Sequence, residues 1–143
     1  MRILVTGGGG MVGRAISAHL ASGGHEVIRL LRRAGAAPQQ RQGGSGTPGR
    51  RQAGDPGHRP GPWWDIPAGR IELSEAGPLD AVIHLAGESL VGLWTRRKRE
   101  RILASRRDGT ALLAGALAAL QPRPRALLSA SAVGYYGCGC DQV

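Results

Sequence analysis

One feature constrains the fold more than any other: an apolar segment runs straight into a turn of glycines. Residues 3–6 form the segment, and Gly7, Gly10 and Gly13 follow it with the spacing Gly-x-x-Gly-x-x-Gly. Glycine adopts backbone angles that other residues avoid, and its missing side chain lets a pyrophosphate approach the backbone. Where such a turn opens a helix, free N–H groups and the positive end of the helix dipole attract phosphate. The spacing therefore predicts a dinucleotide-binding turn.

The segments after this turn complete a strand–helix–strand unit. Val12, Ile16 and Leu20 recur every four residues, which is the spacing of one helix face. A glycine pair then ends the predicted helix, and residues 26–31 form a second strand candidate. This context is what the dinucleotide fingerprint requires. It places Met11 and Val12, at the helix start, within the predicted cofactor site.

The end of the second strand candidate distinguishes between nicotinamide dinucleotides. NAD-binding units usually carry an acidic residue about 20 residues after the glycine turn, and its carboxylate binds the ribose hydroxyls. This sequence has Leu31, Arg32 and Arg33 at that place. A guanidinium can pair with a 2′-phosphate through two hydrogen bonds. We therefore predict that Leu31 and Arg32 contact the cofactor, and that it is NADP(H) rather than NAD(H). The alternative is a solvated arginine pair at the start of a loop.

Further along the chain, strand and helix signals alternate. Strand candidates at 80–86 and 125–131 flank two helix candidates, 94–107 and 109–120. Between the two patterned parts of the chain, residues 34–62 combine prolines, glycines and arginines with almost no large apolar side chain, which predicts a flexible insert. The alternation of strands and helices indicates an α/β fold with a parallel sheet.

Composition excludes several classes of protein. No apolar run approaches the roughly 20 residues of a membrane helix, and the apolar start is too short for a secretory signal, so we expect a cytoplasmic protein. Cys138 and Cys140 stand within the last six residues, so no disulfide framework is predicted. Two cysteines without a nearby histidine leave a zinc shell half empty, and we predict no metal site.

The net charge of +9 suits an anionic partner, either a phosphate-bearing cofactor or a nucleic acid. The densest basic run is Arg96-Arg-Lys-Arg99, which continues through Arg101 to Arg106 and Arg107. On a helix these residues cover more than one face, and few aromatic side chains stand nearby to stack on bases. We therefore expect a solvated helix face rather than a nucleic-acid site.

Several motifs occur together and in a familiar order. They are Met1-Arg-Ile-Leu-Val-Thr-Gly-Gly-x-Gly10, Gly24-His-Glu-Val27, Trp64-Asp65 with Ala68-Gly69-Arg70, Asp80-Ala-Val-Ile-His-Leu-Ala-Gly-Glu88, Trp94-Thr95, Ser105-Arg106, Gly109-Thr110 and Ser129-Ala-Ser-Ala-Val-Gly-Tyr-Tyr-Gly137. The combination resembles the NAD(P)-dependent epimerase/dehydratase group of the short-chain dehydrogenase/reductase superfamily. Within that group it is most similar to the small atypical branch described as sugar-nucleotide epimerase-like or cell-division-inhibitor-like. The resemblance covers residues 1–33 and about 63–137.

The resemblance implies a role for each matching residue at the strand ends. Gly7, Gly10 and Gly13 would hold the pyrophosphate, Arg32 the 2′-phosphate, and Leu85, Ala86 and Gly87 would line the ribose pocket. Ligands bind beyond the carboxyl ends of parallel strands, which agrees with this placement. Arg106 either faces the cofactor or belongs to a solvated helix face.

The catalytic residues of the superfamily are matched only in part. Ser131 resembles the serine that hydrogen-bonds the substrate oxygen, with Ser129 as the other register. The superfamily's proton-exchanging tyrosine works with a lysine four residues later. The single lysine, Lys98, does not follow a tyrosine at that spacing, so this chain has no Tyr-x-x-x-Lys pair. We expect Tyr135 and Tyr136 to be packing residues.

The resemblance implies an incomplete Rossmann-like, doubly wound parallel sheet over residues 1–137, followed by a tail at 138–143. The C-terminal strands and substrate domain of the branch would be absent. We expect an NADP(H)-binding epimerase/dehydratase- or reductase-like protein, catalytically incomplete, with a sugar nucleotide or small carbonyl compound as substrate. The alternatives are a basic, non-catalytic binding module and a fragment without independent function. Exposed sheet edges would also allow homo-oligomers.

Overall fold

One sheet of six strands organises the part of the chain that the structure, a computed structural model, describes: residues 1–33 and 61–131. The strands are β1 (Arg2–Thr6), β2 (Glu26–Arg32), β3 (Trp63–Asp65), β4 (Arg70–Glu72), β5 (Ala81–His84) and β6 (Ala126–Ser129). The helices of this part are α1 (Met11–Ser22), α2 (Arg96–Ala119) and a short 3-10 helix at Ser74–Ala76.

The strand order is β4-β3-β2-β1-β5-β6, and every neighbouring pair is parallel except β3 and β4. From β1 the chain passes through α1 to β2 on one side, and it later returns to β5 on the other side. The direction of strand addition therefore reverses between β1 and β5. In open α/β sheets, ligands bind beyond the carboxyl ends of the strands at such a reversal.

Different helices cover the two faces of the sheet. Side chains alternate along a strand, so Leu4 of β1 faces α2 and packs with Leu113, which is 1% exposed. Ile3 and Val5 point to the opposite face, where Leu20 of α1 packs against them. Full burial of a leucine such as Leu113 stabilises the fold by about 2 kcal/mol. With helices on both faces, the predicted Rossmann-like, doubly wound fold is confirmed.

The prediction of two helices between residues 94 and 120 is wrong, because α2 runs without a break from Arg96 to Ala119. Gly109, predicted as the first residue of the second helix, is buried within the single helix. A Cβ added at Gly109 would lie 3.2 Å from Cδ1 of Ile66 and 3.6 Å from Cη2 of Trp64. A glycine in a helix costs about 1 kcal/mol relative to alanine, and here the close packing against Trp64 offsets that cost.

The predicted apolar face of α1 is also partly wrong. Gly13 and Ser17 are the buried residues of this helix, whereas the Val12 side chain is 54% exposed. The hydroxyl of Ser17 donates to the carbonyl oxygen of Gly13 at 2.7 Å, which satisfies this buried polar group inside the helix. Helix α1 places Gly13 against the glycine turn, and Val12 therefore faces away from it.

Most of the predicted insert, residues 34–60, and the predicted tail lie outside the described residues, as do Tyr135 and Tyr136. Of the insert, the structure describes Gly61 and Pro62, and the carbonyl oxygen of Pro62 accepts a hydrogen bond from the Leu31 N–H at 2.9 Å. Strand β3 follows directly. Within the described residues, neither helix is apolar enough over a sufficient length to cross a membrane.

Candidate functional site

The glycine turn after β1 is held in shape by its own backbone. Gly7 has a φ of +70°, which strongly favours glycine, and its carbonyl oxygen accepts a hydrogen bond from the Gly10 N–H at 3.0 Å. A Cβ added at Gly13 would lie 2.2 Å from that carbonyl oxygen and 2.8 Å from Cα of Gly8. The first turn of α1 therefore packs on the glycine turn at a distance that only glycine allows.

The same turn packs against the segment that follows β5. A Cβ added at Gly7 would come within 2.8 Å of the backbone nitrogen of Ala86 and within 2.9 Å of the carbonyl carbon of Leu85. The hydroxyl of Thr6, the last residue of β1, accepts hydrogen bonds from the N–H groups of Leu85 at 3.2 Å and Ala86 at 3.1 Å. Two predicted parts of the site thus meet at the carboxyl edge of the sheet.

The outer side of the glycine turn is open. Gly9 and Gly10 are exposed, and among the described residues, chain neighbours aside, no atom lies within 4 Å of a Cβ added at Gly9. The first hydrogen bond of α1 runs from the Arg14 N–H to the carbonyl oxygen of Gly10, at 2.9 Å, and no described side chain caps this helix end. The N–H groups of the first turn, at Met11 and after it, are therefore available to a phosphate group.

Arg106 reaches the same edge from α2. A Cβ added at Gly87 would lie 2.6 Å from Nε and 2.9 Å from Cζ of the Arg106 side chain, so the guanidinium rests on the bare backbone of Gly87. The next N–H, that of Glu88, donates to the hydroxyl of Ser105 at 2.9 Å. The Ser105-Arg106 pair thus fixes the backbone after β5 and carries a positive charge to it.

The carboxyl end of β2 carries the residues predicted to select the cofactor. Leu31 is half-buried and lines an open cavity of about 650 Å³ together with Arg29 and Pro62. Arg32, the last residue of β2, has an exposed side chain. The guanidinium carbon of Arg33 lies 4.0 Å from the ring centroid of Trp63, a cation–π contact that holds this side chain against β3. Arg32 is thus the more accessible of the two cations.

Ser131 lies beyond the adjacent strand end at the same edge. His84, which ends β5, pairs with Ser129 of β6, and the carbonyl oxygen of His84 accepts a hydrogen bond from the Ala130 N–H at 2.9 Å. Ser131 follows with an exposed side chain. The structure brings together Gly7, Gly10, Met11, Val12, Gly13, Leu85, Ala86, Gly87 and Arg106 around one edge, with Leu31 and Arg32 at the end of β2 and Ser131 beyond β6.

His84 is a buried residue of this edge that sequence patterns did not single out as a site residue. Its Nδ1 lies 2.7 Å from the hydroxyl of Thr6, and its Nε2 lies 3.1 Å from the hydroxyl of Thr110. The Trp64 ring meets it edge-on at 5.9 Å between centroids. Burial, and next the positive charge of Arg106, lower the pKa of His84 from its ordinary value of 6.5.

The sequence profile of the NAD dependent epimerase/dehydratase family matches residues 3–142. The chain belongs to this family. Its family profile thus covers the glycine turn, the segment after β5 and Ser131 together. The resemblance inferred from the motifs is confirmed.

Known members of the epimerase/dehydratase family agree with this assignment. Over 144 residues the chain is 35% identical to the mouse epimerase family protein SDR39U1, a match that spans 95% of this chain and 38% of that protein. A crystal structure of human SDR39U1 (isoform 2) with NADPH superposes with a TM-score of 0.65 at 28% identity, over 95% of this chain and 38% of that one. A nucleoside-diphosphate sugar epimerase from Corynebacterium glutamicum gives 0.60 at 32% identity, over 94% and 23%. The chain spans about two fifths of the length of the curated relatives it matches.

Sequence patterns also gave no indication of a cluster of charged residues at the start of α2 in this epimerase/dehydratase chain. The carboxylate of Glu88 lies 3.4 Å from Nζ of Lys98 and 3.5 Å from a guanidinium nitrogen of Arg101. The Lys98 side chain is only 13% exposed, so this contact is shielded from water. The spacing within the motif that ends at Glu88 gave no signal for it, because its partners start the next helix.

Proposed function

We propose that this chain binds NADP(H) and supplies the cofactor-binding part of an epimerase/dehydratase- or reductase-like protein. The observation that carries the proposal is the open glycine turn, whose exposed side presents the first N–H groups of α1 beside residues 85–87. A side chain at Gly7 or Gly13 would fill the space needed for that arrangement. The NADPH in the human SDR39U1 structure supports the choice of ligand.

The glycine turn holds the pyrophosphate in this proposal. Gly7 and Gly13 keep the turn compact, and Gly10 leaves the phosphates open access to the backbone. The N–H groups at Met11 and Val12 donate to the phosphate oxygens, helped by the positive end of the α1 dipole. This part of the site recognises the two phosphates that NAD and NADP share, so it does not discriminate between them.

Arg32 discriminates between NADP(H) and NAD(H) in this proposal. Its exposed guanidinium at the end of β2 pairs with the 2′-phosphate, whereas Arg33 is held on Trp63. Leu31, half-buried next to Arg32, contacts the adenosine. NADP(H) is thus preferred over NAD(H) because it offers Arg32 a doubly charged partner.

The segment after β5 and the end of β6 face the reacting half of the ligand. Leu85, Ala86 and Gly87 line the ribose pocket, and Arg106 adds a cation there. The hydroxyl of Ser131 donates a hydrogen bond to a substrate oxygen. The nicotinamide, when bound, supplies hydride transfer, while these residues bind and orient. No tyrosine precedes Lys98 at the required spacing, so proton exchange by this chain alone is expected to be weak.

The substrate we propose is a sugar nucleotide or a small carbonyl compound. The match to a nucleoside-diphosphate sugar epimerase supports the first class. The basic start of α2, close to the segment after β5, would favour an anionic substrate of this kind. The chain spans about two fifths of its relatives, and we propose that substrate recognition involves segments that they have beyond the match.

Titration with NADPH and NADH, followed by fluorescence, tests the proposal. The wild-type chain is expected to bind NADPH more tightly than NADH. The R32Q variant is expected to lose about tenfold in NADPH affinity, because a charge-assisted hydrogen-bonded contact contributes about 1.5 kcal/mol or more, and to keep its NADH affinity. R123Q makes the same charge change before β6, at the other end of the strands, and serves as the control. Absence of NADPH binding at millimolar cofactor would overturn the proposal.

A further inference from the structure

We propose that neutral His84 is a positioning residue for cofactor binding, and that a second proton on its ring weakens NADP(H) binding by releasing the backbone after β5. The inference rests on the proposed function and extends it to a residue that makes no direct contact with the ligand. Three elements meet at this ring: β1 through Thr6, β5 through His84 itself, and α2 through Thr110. The hydrogen bonds among them determine which form of the ring fits.

The hydroxyl of Thr6 fixes the direction of each hydrogen bond. Its oxygen already accepts from the N–H groups of Leu85, at 3.2 Å, and Ala86, at 3.1 Å. A hydroxyl has one hydrogen to donate and two lone pairs that accept. Both lone pairs are in use, so the Thr6 hydroxyl donates to Nδ1 of His84, 2.7 Å away. Nε2 therefore carries the ring hydrogen and donates to the Thr110 hydroxyl at 3.1 Å.

Protonation disrupts this arrangement at a single atom. An imidazolium carries hydrogens on both nitrogens, so Nδ1 would become a donor that points at the saturated Thr6 oxygen. One donor must then lose its partner in a site where His84 is only 3% exposed. The Leu85 N–H also lies 3.3 Å from the carbonyl oxygen of Thr6, so it is the donor that can leave the hydroxyl. Its departure would shift the Leu85–Ala86 peptide, and this is the peptide against which Gly7 packs.

The surroundings of the ring favour the neutral form. From α2, Arg106 adds a positive charge, and Thr110 is uncharged. From β3, Trp64 contributes a ring edge, and the carboxylate of Asp65 accepts from the Ala68 N–H at 3.2 Å. The neighbouring strands β1 and β6 contribute the uncharged Thr6 and Ser129.

The sign of the pH dependence follows from the lowered pKa. Because burial and then Arg106 hold the pKa of His84 below 6.5, the folded, cofactor-competent chain binds this proton less readily than the unfolded chain. The stabilisation is complete above pH 6.5 and declines as the pH falls from there toward the lowered pKa. NADP(H) affinity is expected to decline in the same range.

Calorimetric titration with NADP⁺, which tolerates acid, provides the test. The dissociation constant is measured from about pH 8 to about pH 5.5 for the wild-type chain and for H84N. Asparagine offers an oxygen near the position of Nδ1 to accept from Thr6, and it has no proton to gain. Titration of the 2′-phosphate of the ligand affects both proteins equally, so the ratio of their dissociation constants isolates His84. We expect this ratio to rise toward the acid end, by no more than about tenfold because the pKa of His84 lies below 6.5. A flat ratio would overturn the inference.

A readout without cofactor keeps the inference testable if H84N does not fold. Long-range nitrogen–proton NMR spectra of the wild-type chain report the form of each histidine ring. At neutral pH we expect His84 to carry its hydrogen on Nε2 and to leave Nδ1 bare; a hydrogen on Nδ1 contradicts the inference. T110S should bind NADP⁺ like wild type at neutral pH, while T110V should bind it more weakly; equal binding by the two variants also contradicts it. Failure of the wild-type chain to bind NADP⁺ at neutral pH would instead refute the proposed function.

Discussion

Glycine residues in this chain differ in what surrounds them, although their sequence contexts look alike. Gly13 packs on the backbone of Gly7, and Gly109 packs on Trp64 and Ile66. Gly115 stands in the same helix as Gly109, yet in the described part of the chain, apart from its chain neighbours and the surrounding backbone of α2, no atom lies within 4 Å of a Cβ added there. The first two are therefore required by close packing, while the third is not.

The G13A variant should lose both stability and cofactor. Its Cβ would lie 2.2 Å from the carbonyl oxygen of Gly7, and backbone cannot yield as a flexible side chain does. We expect the free energy of unfolding to fall by up to about 3 kcal/mol, with NADPH binding abolished. Urea denaturation and fluorescence titration measure the two effects. An unchanged NADPH affinity in G13A would remove the glycine turn from the site.

The G115A variant should behave in the opposite way. The added methyl group meets open space on an exposed part of α2, and alanine is the better helix former. We expect a gain of up to about 1 kcal/mol in the free energy of unfolding, with the NADPH affinity unchanged. The same urea and titration experiments measure this. A destabilised G115A would mean that this face of α2 is covered in solution.

At the scale of elements, α2 begins against electrostatic preference. Its first turn carries Arg96, Arg97, Lys98 and Arg99 at the positive end of the helix dipole. Two contacts compensate in part: the hydroxyl of Thr95 accepts from the Lys98 N–H at 3.2 Å, and the carboxylate of Glu88 receives Lys98 and Arg101. The ion pairs with Glu88 also attach this helix end to the segment after β5.

The T95A variant tests the cap of α2. Alanine at this position leaves the Lys98 N–H without its side-chain acceptor, so we expect a loss of about 1 kcal/mol in the free energy of unfolding. T95S keeps the hydroxyl and should stay close to wild type. Thermal and urea denaturation of the three proteins measure the effect. Equal losses in T95A and T95S would show that the methyl group of Thr95, rather than its oxygen, stabilises the helix start.

Elements defined by contiguous residues were predictable from the sequence, and elements defined by distant contacts were not. β1, the glycine turn and β5 follow from local patterns, and all three appear in the structure. The close packing of Gly109 in α2 against Ile66 and Trp64 joins residues far apart in the chain, and local patterns gave no sign of it. The same reason hid the roles of His84 and Glu88. The partner of His84 on β1 stands 78 residues earlier. The cofactor contact of Arg32 and the substrate contact of Ser131 stay predictions.

For the whole molecule, the edge strand β6 is the most exposed part of the sheet. All four of its residues are exposed, with Leu127 at 43% and Leu128 at 56%. It pairs with β5 on one side, and among the described residues no strand pairs with its other side. An open strand edge with apolar side chains readily pairs with another chain.

We expect concentration-dependent self-association through β6. The L128K variant should weaken it, because a lysine on an edge strand disfavours pairing between chains. L103K serves as the control, since Leu103 is 64% exposed on α2 and lies away from the sheet edge. Sedimentation velocity at several protein concentrations measures the effect. A wild-type chain that stays monomeric throughout would contradict the expectation.

The packing of Gly7 against Ala86 has a consequence for how the protein is made. Synthesis proceeds from the N-terminus, so the glycine turn leaves the ribosome well before the segment against which it packs. That segment begins at Leu85, 79 residues after Thr6. A nascent chain that ends at β2 therefore contains every glycine of the turn but lacks the segment after β5, which forms the other side of the proposed dinucleotide site. Under the proposed function, cofactor binding can therefore assist folding only after β5 has left the ribosome and paired with β1.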